Sequence, residues 1–186
     1  MPNDLSGKRV AFLVANVGVE QVELTSPWQA VKDAGGEPAL LAPETGKVQA
    51  VQGDLNHGDN FEATQAVGDA HADDYAALVL PGGVASPDKL RIVPEAVDFV
   101  ASFARAGKPI AAICHGPWTL VEADVVRGKT LTSWPSLQTD IRNAGGTWQD
   151  AEVITSDDNG WTLVTSRKPD DLDAFNQAAI SAFVSA

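Results

Sequence analysis

Pro109-Ile-Ala-Ala-Ile113 runs without a spacer into Cys114-His115-Gly116-Pro117. A short, unbroken apolar run behind a proline reads as a strand covered on both faces, the composition of a central parallel strand. Gly116 to Glu122 reads as the helix that follows. A strand that turns sharply into a helix at a cysteine has the shape of an elbow, with the side chain lifted out of the chain path. The same alternation recurs outward from this stretch. Arg9 to Ala15 is a second buried run, followed by a helical pattern from Val22 to Ala34 that Gly35-Gly36 closes. Pro27 lies inside that helix, which predicts a kink or a late start. Glu37 to Ala42 and Ala76 to Leu80 read as strands, and Lys47 to Gln52 as a further short one. Pro94 opens a helix that reaches Arg105, and Leu137 to Ala144 is a short helix. Glu152 to Ser156 and Trp161 to Thr165 flank Asp157-Asp-Asn-Gly160, a hairpin signal. Leu172, Phe175, Ala179 and Phe183 fall at helical spacing. The acidic segment from Gly53 to Ala72 has no clear period and is expected to be mostly loop. Strand and helix in alternation predict an α/β fold with a doubly wound, mostly parallel sheet.

Length and charge limit what such a domain does. The 186 residues suit a single domain, 1–186, and 44% hydrophobic content supports a packed core. Thirteen Lys and Arg against 25 Asp and Glu leave a net charge of −12. Phosphate backbones and anionic lipid surfaces would be repelled, so neither nucleic acid nor a membrane is an expected partner. No stretch of 18 apolar residues is present, and Met1 to Arg9 lacks the basic-then-apolar pattern of a signal peptide. The one cysteine forms no internal disulfide and fits a reducing cytoplasmic compartment. His57, His71 and His115 are scattered, without metal-ligand spacing, and no phosphate-binding glycine motif occurs. No metal and no cofactor are expected.

In doubly wound sheets the site lies beyond the carboxyl ends of the strands. That rule selects Asn16 to Glu20, Gly82-Gly83 and Cys114-His115, which converge if their strands are neighbours. Cys114 is either a small buried hydrophobe or a nucleophile whose thiol the helix start would acidify. His115 is its sequence neighbour. Adjacent side chains at such a turn should diverge, so a direct Cys–His pair is not expected, and His115 would act on a substrate proton instead. Glu20 is either a solvated helix-start acid or a partly buried carboxyl sharing a proton with Cys114. Glu20 is preferred to Glu23 because it is closer to the strand end. Gly82-Gly83 is a turn or, with the His115 amide, an oxyanion-binding set of N–H groups. Trp118 and Trp134 wall a small pocket or pack in the core.

Ala112-Ile-Cys-His-Gly-Pro-Trp118 resembles the nucleophile elbow of the PfpI family, the intracellular protease I and general stress protein type. That family belongs to the superfamily of the parkinsonism-associated deglycase and the class I glutamine amidotransferases. Glu20-Gln-Val-Glu-Leu24, Ala77-Leu-Val-Leu-Pro-Gly-Gly83, Thr132-Ser-Trp-Pro135, Asn143-Ala-Gly145, Asp150-Ala-Glu-Val153 and Thr165-Ser-Arg167 resemble the same family in order. The resemblance implies a flavodoxin-like three-layer sandwich with Cys114 as nucleophile and Glu20 bonded to its sulfur. It implies the backbone amides of Gly83 and His115 at the oxyanion hole. It also implies a histidine oriented by an acid from a neighbouring subunit, for which the matching position is Asp88. Here the acid is shorter than the family's glutamate and its loop is one residue longer.

The expectation is therefore a cytoplasmic, stress-related cysteine hydrolase. Its substrates would be small reactive carbonyls or early glycation adducts, with peptides as the alternative. A protective redox protein working through oxidation of Cys114 is the reading from a different class. A homodimer, or a higher oligomer, is expected from the resemblance.

Overall fold

The computed structural model describes residues 4–185. Residues 1–3, at the head of the stretch read as lacking a signal peptide, and residue 186 lie outside the described residues. The strands are β1 (Arg9–Leu13), β2 (Val17–Glu20), β3 (Glu37–Ala42), β4 (Gly46–Gln52), β5 (Asn56–Ala63) and β6 (Gln65–Ala66) in the first third of the chain. They continue with β7 (Ala77–Leu80), β8 (Ile110–Ile113), β9 (Thr130–Leu131), β10 (Thr147–Trp148), β11 (Val153–Ser156) and β12 (Leu163–Ser166). The helices are α1 (Gln21–Asp33), α2 (Ala85–Leu90), α3 (Pro94–Arg105), α4 (Pro117–Glu122), α5 (Gln138–Asn143) and α6 (Leu172–Val184).

Seven strands form the main sheet in the order β11-β12-β8-β7-β1-β3-β6. Every neighbouring pair is parallel except β11 against β12, the hairpin read from Asp157 to Gly160. Its five principal parallel strands, numbered along the chain, lie in the order 2-1-3-4-5, the flavodoxin-like arrangement. The pleat divides β1 between two cores. Val10, Phe12 and Val14 face Leu24 and Val31 of α1 and Phe175 of α6. Ala11, Leu13 and Ala15 face Phe99 and Phe103 of α3 and Leu120 of α4. Helix, sheet and helix make the three layers that the family resemblance implies. Because β8, β7 and β1 are adjacent, their carboxyl ends open into one crevice where the chain order reverses. The three segments selected from the sequence do converge.

Two expectations are corrected. The late start is overturned: α1 begins at Gln21 and runs through Pro27, which is buried. The ring costs one hydrogen bond to the carbonyl of Glu23, and the burial of Leu24 and Val31 against the sheet holds the helix together regardless. The segment from Gly53 to Ala72 is not mostly loop. It supplies β5, which pairs antiparallel with β4 from Gly46–Ala63 to Gln52–Asn56, and the short β6. Most of β5 is exposed, so backbone pairing defines it and its side chains carry no apolar period. β2, unforeseen as a strand, joins β4 to complete a three-stranded sheet beside the crevice. No helix among the described residues is long and apolar enough to cross a membrane.

Candidate active site

Cys114 adopts φ of 60°, a left-handed conformation that side-chain-bearing residues seldom take. The surroundings impose it. The Cys114 N–H donates to the Ser166 carbonyl at 3.1 Å, and its own carbonyl accepts from the Trp134 N–H at 2.9 Å. The end of β12 and the Trp134 segment thus hold the elbow from both sides. Cys114 is buried, with only 5% of the residue exposed.

The carboxyl beside that sulfur belongs to Glu23, not Glu20. Glu23 sits in the first turn of α1, is fully buried, hydrogen-bonds Cys114 and accepts the Gly82 N–H at 3.0 Å through Oε2. Its Oε1 is buried without a hydrogen-bond partner. Glu20 turns the other way: its two carboxylate oxygens accept the N–H groups of Gly53 (3.1 Å) and Asp54 (3.2 Å) at the β4–β5 turn. The preference for Glu20 by nearness to the strand overlooked the helix. Glu23, Pro27 and Val31 are spaced four apart and form one buried stripe of α1, a signal present in the sequence.

Gly82 makes the pairing possible. A Cβ there would come within 2.6 Å of the Cys114 Cβ and closer still to Glu23 Oε2. Gly83 follows with φ of 78° and lies against the backbone of Gly18 and Glu20. The backbone N–H groups of Gly83 and His115 both act on the Cys114 sulfur and favour its anion. The two amides read from the sequence as an oxyanion set are therefore brought to one atom.

His115 departs from expectation. Its Nδ1 lies 3.2 Å from Cys114 Sγ, so the adjacent side chains meet rather than diverge. The left-handed residue between strand and helix breaks the alternation that would have sent them to opposite sides. The ring stacks on Trp134 at 5.8 Å between centroids and leans on Trp118 at 5.1 Å, while Nε2 is 3.4 Å from Ser136 Oγ. Asp88 is exposed on α2, and Cys114, Ser136, Trp118 and Trp134 supply the ring's neighbours within the chain. The described residues hold no cluster of His, Cys, Asp or Glu able to bind a metal ion.

Burial governs the protons. It raises the Glu23 carboxyl to about 8, with the nearby Glu20 charge adding to the effect. Burial, then the Glu23 charge, also push the Cys114 thiol up, opposite to the expectation from a helix start. Burial lowers His115, partly offset by the charge of Asp54. Near neutral pH the resting site is thus a thiol, an imidazole and a protonated carboxyl. When the thiol proton is taken by another group, two backbone N–H groups and the protonated Glu23 carboxyl can point at the sulfur anion.

Chemically the arrangement can serve a cysteine nucleophile, with an acid and a base at hand, and comparison with known proteins places the chain in a family. The model of the DJ-1/PfpI family matches residues 8–182. YraA of Bacillus subtilis (strain 168), named as a candidate cysteine protease, is 40% identical over 174 residues, covering 94% of this chain and 97% of its own. Protein/nucleic acid deglycase 2 of Escherichia coli (strain K12) is 38% identical over 93% of this chain and 96% of its own. General stress protein 18 of Bacillus subtilis (strain 168) is 38% identical over 94% and 97%. Among solved structures, a two-domain protein of Anabaena variabilis with DJ-1/ThiJ/PfpI-like and ferritin-like domains superposes with a TM-score of 0.83 at 34% identity. The match covers 94% of this chain and 47% of that one, about half its length.

Proposed function

Because the chain belongs to the DJ-1/PfpI family, we propose that it is a cytoplasmic, stress-related hydrolase in which Cys114 attacks reactive carbonyls or their early adducts on amines and thiols. The observation that carries this reading is the buried Glu23 carboxyl against the Cys114 sulfur, with His115 Nδ1 on another side at 3.2 Å. Relatives named as deglycases and as a stress protein support the substrate class and setting.

With a 2-oxoaldehyde, sulfur adds to the aldehyde carbon and the thiol proton passes by way of His115 Nδ1. The new oxygen lies toward the N–H groups of Gly83 and His115, giving a hemithioacetal. One proton then leaves the former aldehyde carbon and another reaches the adjacent carbon, with His115 and Glu23 as the exchanging groups. The product is a thioester of a 2-hydroxy acid. Water cleaves it, and sulfur regains its proton. The sum is addition of one water with no outside oxidant or reductant. The experiment is methylglyoxal consumption with formation of the 2-hydroxy acid: wild type turns over many equivalents, Cys114→Ala none. A wild type that consumes one equivalent or less contradicts the reading, and stoichiometric oxidation of Cys114 by peroxide without turnover would favour the redox role.

A second reading, peptide hydrolysis, draws on the same Cys114–His115 contact and on YraA's description. An amine leaving group needs an acid placed on its nitrogen, and His115, once it holds the thiol proton, could supply it. Cleavage of a fluorogenic peptide by wild type and not by Cys114→Ala would favour it.

A further inference from the structure

The turn between β4 and β5 reaches over the crevice, and Glu20 clamps it there. Gly53 and Asp54 both have φ of 64°, two successive left-handed residues that make the turn tight. With its N–H groups held on Glu20, the turn delivers the Asp54 side chain to the residue after Gly83. Asp54 Oδ1 accepts the Val84 N–H at 2.8 Å. Asp54 is exposed, lies thirty positions away in sequence and belongs to a segment with no catalytic motif.

We infer that Asp54 is a positioning residue of the thiol site, fixing the Gly83–Val84 turn through the Val84 N–H and, from there, extending a carboxylate's charge to His115. The inference rests on the reading that Cys114 is the reacting thiol. Gly83 offers its N–H to the sulfur from this turn, so a shift at Val84 moves an oxyanion donor. The carboxylate favours the imidazolium that forms when His115 takes the thiol proton. Other groups near the ring do not duplicate that charge. Trp118, Trp134 and Ser136 are uncharged, and Arg91 over the Trp118 ring is paired with Glu122. Asp140 is bonded to the Trp118 indole at 2.9 Å, and the remaining titratable neighbours are Cys114 and, behind it, Glu23. Glu20 acquires a role too: it anchors the turn that carries Asp54.

Two variants of the full chain separate the two parts of this role. Asp54→Asn keeps an oxygen for the Val84 N–H and removes the charge, whereas Asp54→Ala removes both. The readouts are the His115 imidazole titration by NMR and the pH profile of Cys114 alkylation by iodoacetamide. Asp54→Asn should leave the melting temperature unchanged, move the His115 titration to lower pH and cut the imidazolium fraction at a given pH roughly threefold. Asp54→Ala should show the same shift plus slower alkylation at every pH, because the Gly83 donor is no longer held. A His115 titration in Asp54→Asn that superimposes on wild type overturns the inference, as does Asp54→Ala alkylation equal to that of Asp54→Asn. Neither readout needs carbonyl turnover. A wild type inactive on methylglyoxal whose His115 titration still responds to Asp54→Asn would contradict the proposed reaction and support the positioning role.

Discussion

Glu23 and Cys114 meet across Gly82, from the first turn of α1 and the end of β8, with only a glycine's width between the carboxyl and the Cys114 Cβ. The Gly82 N–H donates to the same carboxyl that bonds the thiol. An acid fully removed from water keeps its proton, and a protonated acid is the one form of Glu23 that helps a thiolate. The fold therefore sets up the chemistry by burial.

Burial of Glu23 makes stability depend on pH. Its pKa rises from an ordinary 4.5 to about 8 on folding, so between those values the folded chain holds a proton that the unfolded chain has released. The resulting stabilisation is complete below 4.5 and is lost as pH rises through about 8. Urea denaturation midpoints should fall over that window in wild type and stay flatter in Glu23→Gln, whose neutral side chain has no proton to lose.

Gly82→Ala should be severe. Its methyl would push against the Glu23 carboxyl, the Cys114 Cβ and the Ile113 carbonyl together, none of which can retreat from the core. We expect a loss of about 1–3 kcal/mol in stability by chemical denaturation. Iodoacetamide labelling of Cys114 in the molecules that remain folded should change its pH profile.

Lys129 offers a test remote from the thiol. It is fully buried, with its ammonium donating to the carbonyls of Ser156, Asp158 and Trp161 and lying 4.1 Å from the centre of the Trp161 ring. Lys129→Met fills the volume but leaves three carbonyls without a donor, so denaturation should show a loss of about 3 kcal/mol. The alkylation profile of Cys114 in the folded variant should match wild type.

Assembly is open to the same kind of test. We expect a homodimer at least, with α2, which carries Asp88, near the contact. Leu55 and Ile92, 90% and 80% exposed, are apolar residues that a partner would cover. Light scattering at micromolar concentration should give at least twice the chain mass, and a monomer mass would refute this. If Asp88 approaches His115 of the partner subunit, Asp88→Asn should lower any peptidase activity and leave Cys114 alkylation intact.

The elbow was legible because Ile110 to Ile113 is an unbroken apolar run with a glycine behind the cysteine, and few folds bury such a strand other than in a parallel sheet. The convergence of Gly83, Cys114 and His115 followed from the rule about strand ends. Glu20 and Glu23 were separated wrongly because distance along the chain was weighed above helical phase. The contact of His115 with Cys114 depends on one left-handed backbone angle that residue types do not announce. Asp54 was invisible for another reason: β5 is held by backbone pairing, so nothing in its composition says that its turn reaches the crevice.

The central claim is that Glu23 holds a proton beside Cys114 at neutral pH, where its O–H can point at the sulfur. Infrared difference spectroscopy of wild type against Glu23→Gln at pH 7 tests it most directly, by resolving a protonated carboxyl band from a carboxylate band. The account predicts a protonated carboxyl band that is missing in Glu23→Gln and fades in wild type only as the pH passes about 8. A carboxylate band from Glu23 at pH 7, with the Cys114 thiol still protonated, would contradict it.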